Sequence, residues 1–216
     1  MPTRWSKSPY PVGEHEFDTV SSETRFTGKI FAVRADEVSM PGGAVARRDV
    51  IEHYGAVAVV ALDDRDNVVL VYQYRHALGR RLWELPAGLL DEHGEAPHLT
   101  AARELVEEAG LAARDWAVLV DVAPTPGFTD EAVRIFLATG LSEVDRPEAA
   151  HEEADMTVTR VPLADAVARV FSGEIVNSSA VAGILAAHAV RNGHAETRAV
   201  TVDWPDRPWR FAARER

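Results

Sequence analysis

The densest group of chemically capable side chains lies in Ala101-Ala-Arg-Glu-Leu-Val-Glu-Glu-Ala-Gly-Leu111. At about 100° per residue, a helix through it places Leu99, Ala102, Leu105, Val106 and Ala109 on one face. Arg103, Glu104, Glu107 and Glu108 fall on the other. Glu104 and Glu108 stand one turn apart, and Glu107 joins them at i+3. On an isolated helix each such like-charge pair costs about 0.2–0.5 kcal/mol. A divalent cation reverses the sign of that cost. Hard Mg²⁺ or Mn²⁺ takes oxygen ligands, typically one or two carboxylates together with water and substrate phosphates. Arg103, at i−4 from Glu107, can hold that carboxylate in place. The bland alternative is a solvated acidic face, and only the surroundings of the helix can decide between the two.

Those surroundings must position the carboxylates. The spacing predicts the helix over Pro97–Ala109, with proline in its first turn and Gly110 at its C-terminal cap. Upstream, Gly55–Leu62 reads as a buried strand. Val68–Tyr74 reads as its hairpin partner across the polar turn Asp63–Asn67. Arg81–Leu85 is a further strand, ended by Pro86-Ala87-Gly88. Downstream, Trp116–Val122, Ala132–Thr139 and Val158–Val161 read as strands, and Leu163–Phe171 and Ser178–Val190 as helices. Residues 1–15, with three prolines and a glycine, read as a mobile arm. Residues 16–53 form a small antiparallel β unit around the turn Pro41-Gly42-Gly43. Residues 54–195 form the main domain, and 196–216 an irregular tail whose tryptophans pack on the body. Strands and helices mix without strict alternation. The expected class is therefore α+β, a mixed sheet sandwiched between helices with the small β unit at its N-terminal side.

Composition narrows the function. The 216 residues carry 23 basic and 34 acidic side chains, a net charge of −11. Such a chain repels nucleic-acid backbones unless it carries a local basic patch. A phosphate-bearing substrate needs local cations, which points again to metal. Cysteine is absent, so there is no disulfide framework, thiolate metal site or cysteine nucleophile. No apolar run approaches the roughly 18 residues of a membrane span, and the N-terminus has no signal-like stretch. The expectation is a soluble cytoplasmic protein with neither nucleic acid nor membrane as partner. The eight histidines show no i, i+4 pair and no zinc spacing. Gly42-Gly43 is a turn rather than a phosphate loop, and Ser178-Ser179 has no nucleophile-elbow context.

The helix has a wider frame: Gly88-Leu-Leu-Asp-Glu-His-Gly-Glu95, seven intervening residues, then Arg103-Glu-Leu-Val-Glu-Glu-Ala-Gly-Leu111. This frame resembles the Nudix box, the loop–helix–loop signature of hydrolases that cleave a nucleoside diphosphate linked to another moiety. It departs once, with six residues (Leu89 to Gly94) rather than five between the glycine and first glutamate. The resemblance implies metal ligation by Glu104 and Glu108, with Glu107 as an additional or bridging ligand and the Ala87 carbonyl beside them.

Flanking segments resemble the ADP-ribose pyrophosphatase branch of actinobacterial type. They are Tyr72-Gln-Tyr-Arg75-His, Trp83-Glu-Leu-Pro-Ala-Gly88, Pro126-Gly-Phe-Thr-Asp-Glu131 and Gly173-Glu-Ile-Val-Asn-Ser178. The branch implies Mg²⁺- or Mn²⁺-dependent hydrolysis of ADP-ribose to AMP and ribose 5-phosphate by a homodimer. Other nucleoside diphosphate derivatives (NDP-sugars, NADH, an oxidised nucleotide) remain alternatives, because the box contacts only metal and diphosphate. A non-catalytic ADP-ribose sensor is disfavoured by the presence of all three box glutamates. The branch also implies a catalytic glutamate in the acidic run Glu148–Asp155. Glu153 is the first choice and Glu152 the second, since one step of loop register exchanges them. Arg75, following an apolar strand, can hold phosphate. Arg47 and Arg48 are placed to reach adenine or phosphate, and Glu52 to accept from the adenine amine. Ile30 offers an apolar contact, Leu89 lies in the box loop, and Thr125 and Glu131 lie where relatives meet the terminal ribose.

Overall fold

The computed structural model describes residues 15–146 and 155–215. Residues 19–53 form a three-stranded antiparallel sheet of β1 (Thr19–Thr27), β2 (Phe31–Ser39) and β3 (Val45–His53), in that order. The turn Pro41–Gly43 joins β2 to β3, where both glycines take positive φ. Every residue of β1 is exposed. Its sequence lacks an apolar run, so β2 fixes it through cross-strand pairing rather than through burial.

The core is a four-stranded mixed sheet ordered β7 (Ala87–Leu89), β4 (Ala56–Ala61), β9 (Val133–Glu143) and β8 (Leu111–Val122). β4 runs parallel to β9, and the other pairs are antiparallel. The side-chain period of two divides β4 between two cores. Val57, Val59 and Ala61 face α1 (Pro97–Ala109) and share a core with its Leu105 and with Phe136. Ala58 and Val60 face the opposite side, where α2 (Leu163–Phe171) and α3 (Ser178–Arg191) contribute Ala166, Ile184 and Ala187. The sheet is thus sandwiched between helices as expected.

A second antiparallel sheet holds β10 (Thr157–Pro162), β5 (Asn67–Arg75) and β6 (Arg80–Glu84). Here the structure corrects the sequence. β5 is not the sheet partner of β4: among the described residues the hairpin closes with the isolated bridge Leu62–Val68, and the two strands then meet through side chains in the cores. β7 and β9 already occupy both edges of β4, so the chain must leave that sheet at Asp63. The Asp63 carboxylate pins the exit by accepting the Arg65 and Asn67 N–H groups, each at 2.9 Å.

In the C-terminal stretch the tryptophans behave differently from one another. Trp204 packs against the α1-side core, with the Arg134 guanidinium 4.7 Å from its ring centre. Trp209 is 65% exposed and does not pack on the body. Phe211 is the buried aromatic instead, edge-on to Tyr54 and beside Ala32. No described helix is long and apolar enough to cross a membrane.

Candidate active site

Helix α1 and strand β7 build the site together. Proline starts the helix and Gly110 ends it with φ 65°, its N–H returning to the Leu105 and Val106 carbonyls. The inserted residue of the preceding loop is absorbed in a turn, where Gly94 takes φ 81° and the Glu95 N–H reaches the Glu92 carbonyl. Glu95 therefore still reaches the helix. It accepts from Thr100 Oγ1 at 2.8 Å and from Arg103 Nη2 at 3.3 Å. Burial works against its charge, but these two donors win and hold its pKa below the usual range.

Glu104 lies flat on the bare backbone of Gly88. A Cβ at position 88 would sit 2.0 Å from Glu104 Oε1, so only glycine leaves room for the carboxylate. Glu108 is buried and accepts the Ala87 N–H at 2.9 Å. The strand preceding the box is thereby fastened to the helix at two consecutive residues. Arg103 Nη1 reaches Glu104 at 2.7 Å and Glu107 at 3.1 Å. Burial disfavours the guanidinium charge, but Glu95, Glu104 and Glu107 outweigh it and raise the Arg103 pKa. Burial pushes Glu104 up to about 7, helped by the charges of Glu107 and Asp91 against the pull of Arg103. At the C-terminal end of the helix, Arg146 Nε donates to the Glu107 carbonyl at 2.7 Å.

Among the described residues, no three His, Asp or Glu side chains stand ready to hold a metal ion. Glu104 and Glu107 turn towards Arg103, and Glu108 turns towards the backbone. The donor set nevertheless suits Mg²⁺ or Mn²⁺. All its atoms are hard oxygens, two of the carboxylates are mostly buried, and one guanidinium supplies the compensating positive charge. A cleft of about 560 Å³ bounded by Glu92–Glu95, Arg103 and Glu107 opens beside the cluster. A second cavity of about 670 Å³, between Leu90–Gly94 and Arg207–Ala213, is lined by Asp91 and Glu92 but by none of Glu95, Glu104, Glu107 and Glu108.

The other residues singled out in the sequence fall into two groups. Leu89, half-buried at the end of β7, stands beside the cluster and pairs with Ala56. Thr125 and Glu131 bound one loop: the Thr125 carbonyl accepts the Phe128 and Thr129 N–H groups, and Glu131 Oε1 lies 3.9 Å from His53 Nδ1. Ile30 is exposed in the turn between β1 and β2. Arg47 pairs with Asp49, and Arg48 donates to the Arg47 carbonyl, both on the exposed part of β3. Glu152 and Glu153 lie outside the described residues.

Two further candidates, Glu52 and Arg75, are already engaged by charges of the protein itself. Glu52 is only 2% exposed, and its two oxygens are taken by Arg34 at 2.7 Å and Arg214 at 2.5 Å. A carboxylate this buried needs cationic partners, and both of its oxygens already accept from its own chain, so an adenine amine would have to share them. Arg75 does not end free at a strand tip. It makes a bidentate pair with buried Glu84 at 2.8 and 2.6 Å, so it reaches phosphate only by sharing or giving up that partner. Sequence reasoning missed Arg34, Glu84 and Arg214, the partners in these pairs. The available signal was a carboxylate at an inward-facing strand position, which demands a cation without saying which one.

The sequence model of the NUDIX domain matches residues 52–177. An ADP-ribose pyrophosphatase of Mycobacterium tuberculosis is 63% identical over 203 residues, covering 94% of this chain and 98% of that protein. An ADP-ribose pyrophosphatase of Bacillus subtilis is 37% identical over 76% of this chain and 88% of its own length. Among solved structures, an ADP compounds hydrolase superposes with a TM-score of 0.71 at 19% identity, covering 86% of this chain and 100% of that one.

Proposed function

The chain belongs to the Nudix family, and we propose that it hydrolyses the pyrophosphate of ADP-ribose to AMP and ribose 5-phosphate with Mg²⁺ or Mn²⁺. The observation that carries the substrate is the 63% identity to an ADP-ribose pyrophosphatase across nearly the whole of both chains. Glu104 on Gly88, with Glu107 and Glu108 beside it, supports the chemistry.

The Ala87 carbonyl with Glu104, Glu107 and Glu108 would hold the metal. When bound, it neutralises diphosphate charge and lowers the pKa of a coordinated water. The chain's own groups do the rest. Glu108, through the Ala87 N–H, keeps β7 in register with α1. Arg103 gathers Glu95, Glu104 and Glu107 so that their charges converge rather than splay. Glu153, or Glu152 in the alternative register, takes the proton from the attacking water. Thr125 and Glu131 meet the terminal ribose, Leu89 borders the diphosphate, and Ile30, Arg47 and Arg48 serve the adenosine end.

The chain acts as a homodimer in the cytoplasm. Support for the dimer comes from β1, a nine-residue edge strand exposed throughout. Phe17, Val20, Phe26, Ile30 and Val45 are exposed on the same N-terminal unit. An edge that is unpaired among the described residues and carries exposed apolar side chains is a surface that proteins normally cover.

The test is a panel of ADP-ribose, a GDP-sugar, NADH and an oxidised nucleotide, with nucleoside monophosphate release followed at one Mg²⁺ concentration. ADP-ribose should give the highest kcat/KM. A clear preference for another member would replace the substrate assignment.

A further inference from the structure

Glu52 is the hub of a charge network that joins three distant parts of the chain. Arg34 reaches it from β2, and Arg214 reaches it from the C-terminal turn. Arg214 Nη1 continues to Thr24 Oγ1 of β1 at 2.8 Å. Asp36 extends the network by accepting Arg34 Nε at 2.8 Å and Ser22 Oγ at 2.6 Å. The same turn is seated by Phe211, 2% exposed, with its ring centre 4.6 Å from that of Tyr54.

The residues on either side of Glu52 hold a loop. The Ile51 N–H donates to the Phe128 carbonyl at 2.7 Å, and the Asp130 N–H donates to the Ile51 carbonyl at 3.0 Å. The His53 N–H donates to Asp130 Oδ1 at 2.9 Å. These bonds attach the segment Thr125–Glu131 to the end of β3.

We propose that Arg214 is a positioning residue for the substrate: through Glu52 it fixes the end of β3, and with it the Thr125–Glu131 loop at the terminal ribose. The loop's role rests on the ADP-ribose assignment above, whereas its attachment to β3 does not. Without Arg214, a buried carboxylate keeps one cation instead of two, and β3 must shift to rehydrate it. Asp130 is poised to feel that change. Burial and the Glu52 charge already raise its pKa, and its carboxylate is the acceptor for His53.

The experiment compares the full-length wild type with Arg214→Ala and Arg214→Lys by hydrogen exchange and by steady-state kinetics on ADP-ribose. In Arg214→Ala, amides of residues 51–53 and 128–131 should exchange about tenfold faster, with those of α1 unchanged. KM should rise about tenfold with kcat within about twofold of wild type. Arg214→Lys, which keeps the charge but not the two-armed reach to Glu52 and Thr24, should fall between. Unchanged exchange at both segments in a folded Arg214→Ala protein would overturn the proposal, as would a loss confined to kcat. If that variant lacks a cooperative melt, Arg214→Lys decides by the same readouts, and wild-type values there would overturn it. A wild type inert towards ADP-ribose would refute the substrate assignment alone, because the exchange result still reports whether Arg214 holds the loop.

Discussion

Replacing Gly88 by alanine tests the carboxylate cradle with one methyl group. Gly88 does not need a positive φ, so alanine fits its backbone. The obstacle is Glu104. The new Cβ would meet its Oε1 at 2.0 Å, its Cδ at 2.1 Å and its Cγ at 2.4 Å. Three successive atoms collide, so turning the carboxylate about its last torsion gives no relief. The whole side chain has to swing away by about 1 Å or more, which is a shift of the size that costs about 100-fold in rate at a catalytic centre. Stability should suffer less, because the displaced side chain can move towards the cleft. Forced repacking typically costs about 1–3 kcal/mol. At about 2–4 °C per kcal/mol for a chain of this size, the melting temperature should fall by no more than about 12 °C. The assay is ADP-ribose hydrolysis across a Mg²⁺ titration, paired with thermal unfolding by circular dichroism. A folded Gly88→Ala protein with near wild-type kcat/KM at every Mg²⁺ concentration would refute the claim that Glu104 works from its place on Gly88.

Other outcomes follow from the same structure. Glu104→Gln should abolish Mg²⁺-dependent turnover yet leave the metal-free protein at least as stable at pH 8, since it removes a buried charge crowded by Glu107 and Asp91. A large drop in metal-free melting temperature would contradict this. Asp121 is paired with Arg134 at 2.7 Å and Arg198 at 2.9 Å; burial opposes its charge, but the two arginines prevail and lower its pKa. Its contribution is therefore complete above the ordinary aspartate value of about 3.9 and is lost as pH falls through the lowered folded value. Asp121→Asn should cost about 3 kcal/mol at pH 7 by leaving buried Arg134 without its carboxylate, and the gap to wild type should close in strong acid in urea melts. A gap that stays constant with pH would show that the charge is not the cause. Phe26→Glu, on the exposed N-terminal sheet, should turn a dimer into a monomer in sedimentation velocity. A wild type that is already monomeric at tens of micromolar would remove the dimer assignment.

The parts of the fold that the sequence displayed are those with local causes. Helix α1 begins at Pro97 and ends before Gly110 because a fixed φ and a left-handed cap act within a few residues. The same local spacing put Arg103 over Glu107. Strand partners are different, since they depend on which edges remain free. Nothing in Gly55–Tyr74 announces that β9, some 80 residues downstream, takes one edge of β4 in parallel and that β7 takes the other. The start of β8 escaped for a related reason. Leu111-Ala-Ala-Arg-Asp115 has little strand propensity, and the long β9 recruits it by register. At the site, residue types showed where carboxylates cluster, but they could not show that Glu52 and Glu84 are buried and therefore need Arg34, Arg214 and Arg75. Phe211 rather than Trp209 fills the small core beside Tyr54, a choice made by packing against Ala32 and not by hydrophobicity.

The most direct measurement is ³¹P NMR of ADP-ribose incubated with the protein, with and without Mg²⁺, alongside Glu104→Gln under the same conditions. The diphosphate signals should give way to the two monoester signals of AMP and ribose 5-phosphate, only with Mg²⁺ and only in the wild type. Diphosphate signals that persist with the wild type and Mg²⁺, or that vanish equally fast with Glu104→Gln, would contradict a helix built to hold a cation against a diphosphate.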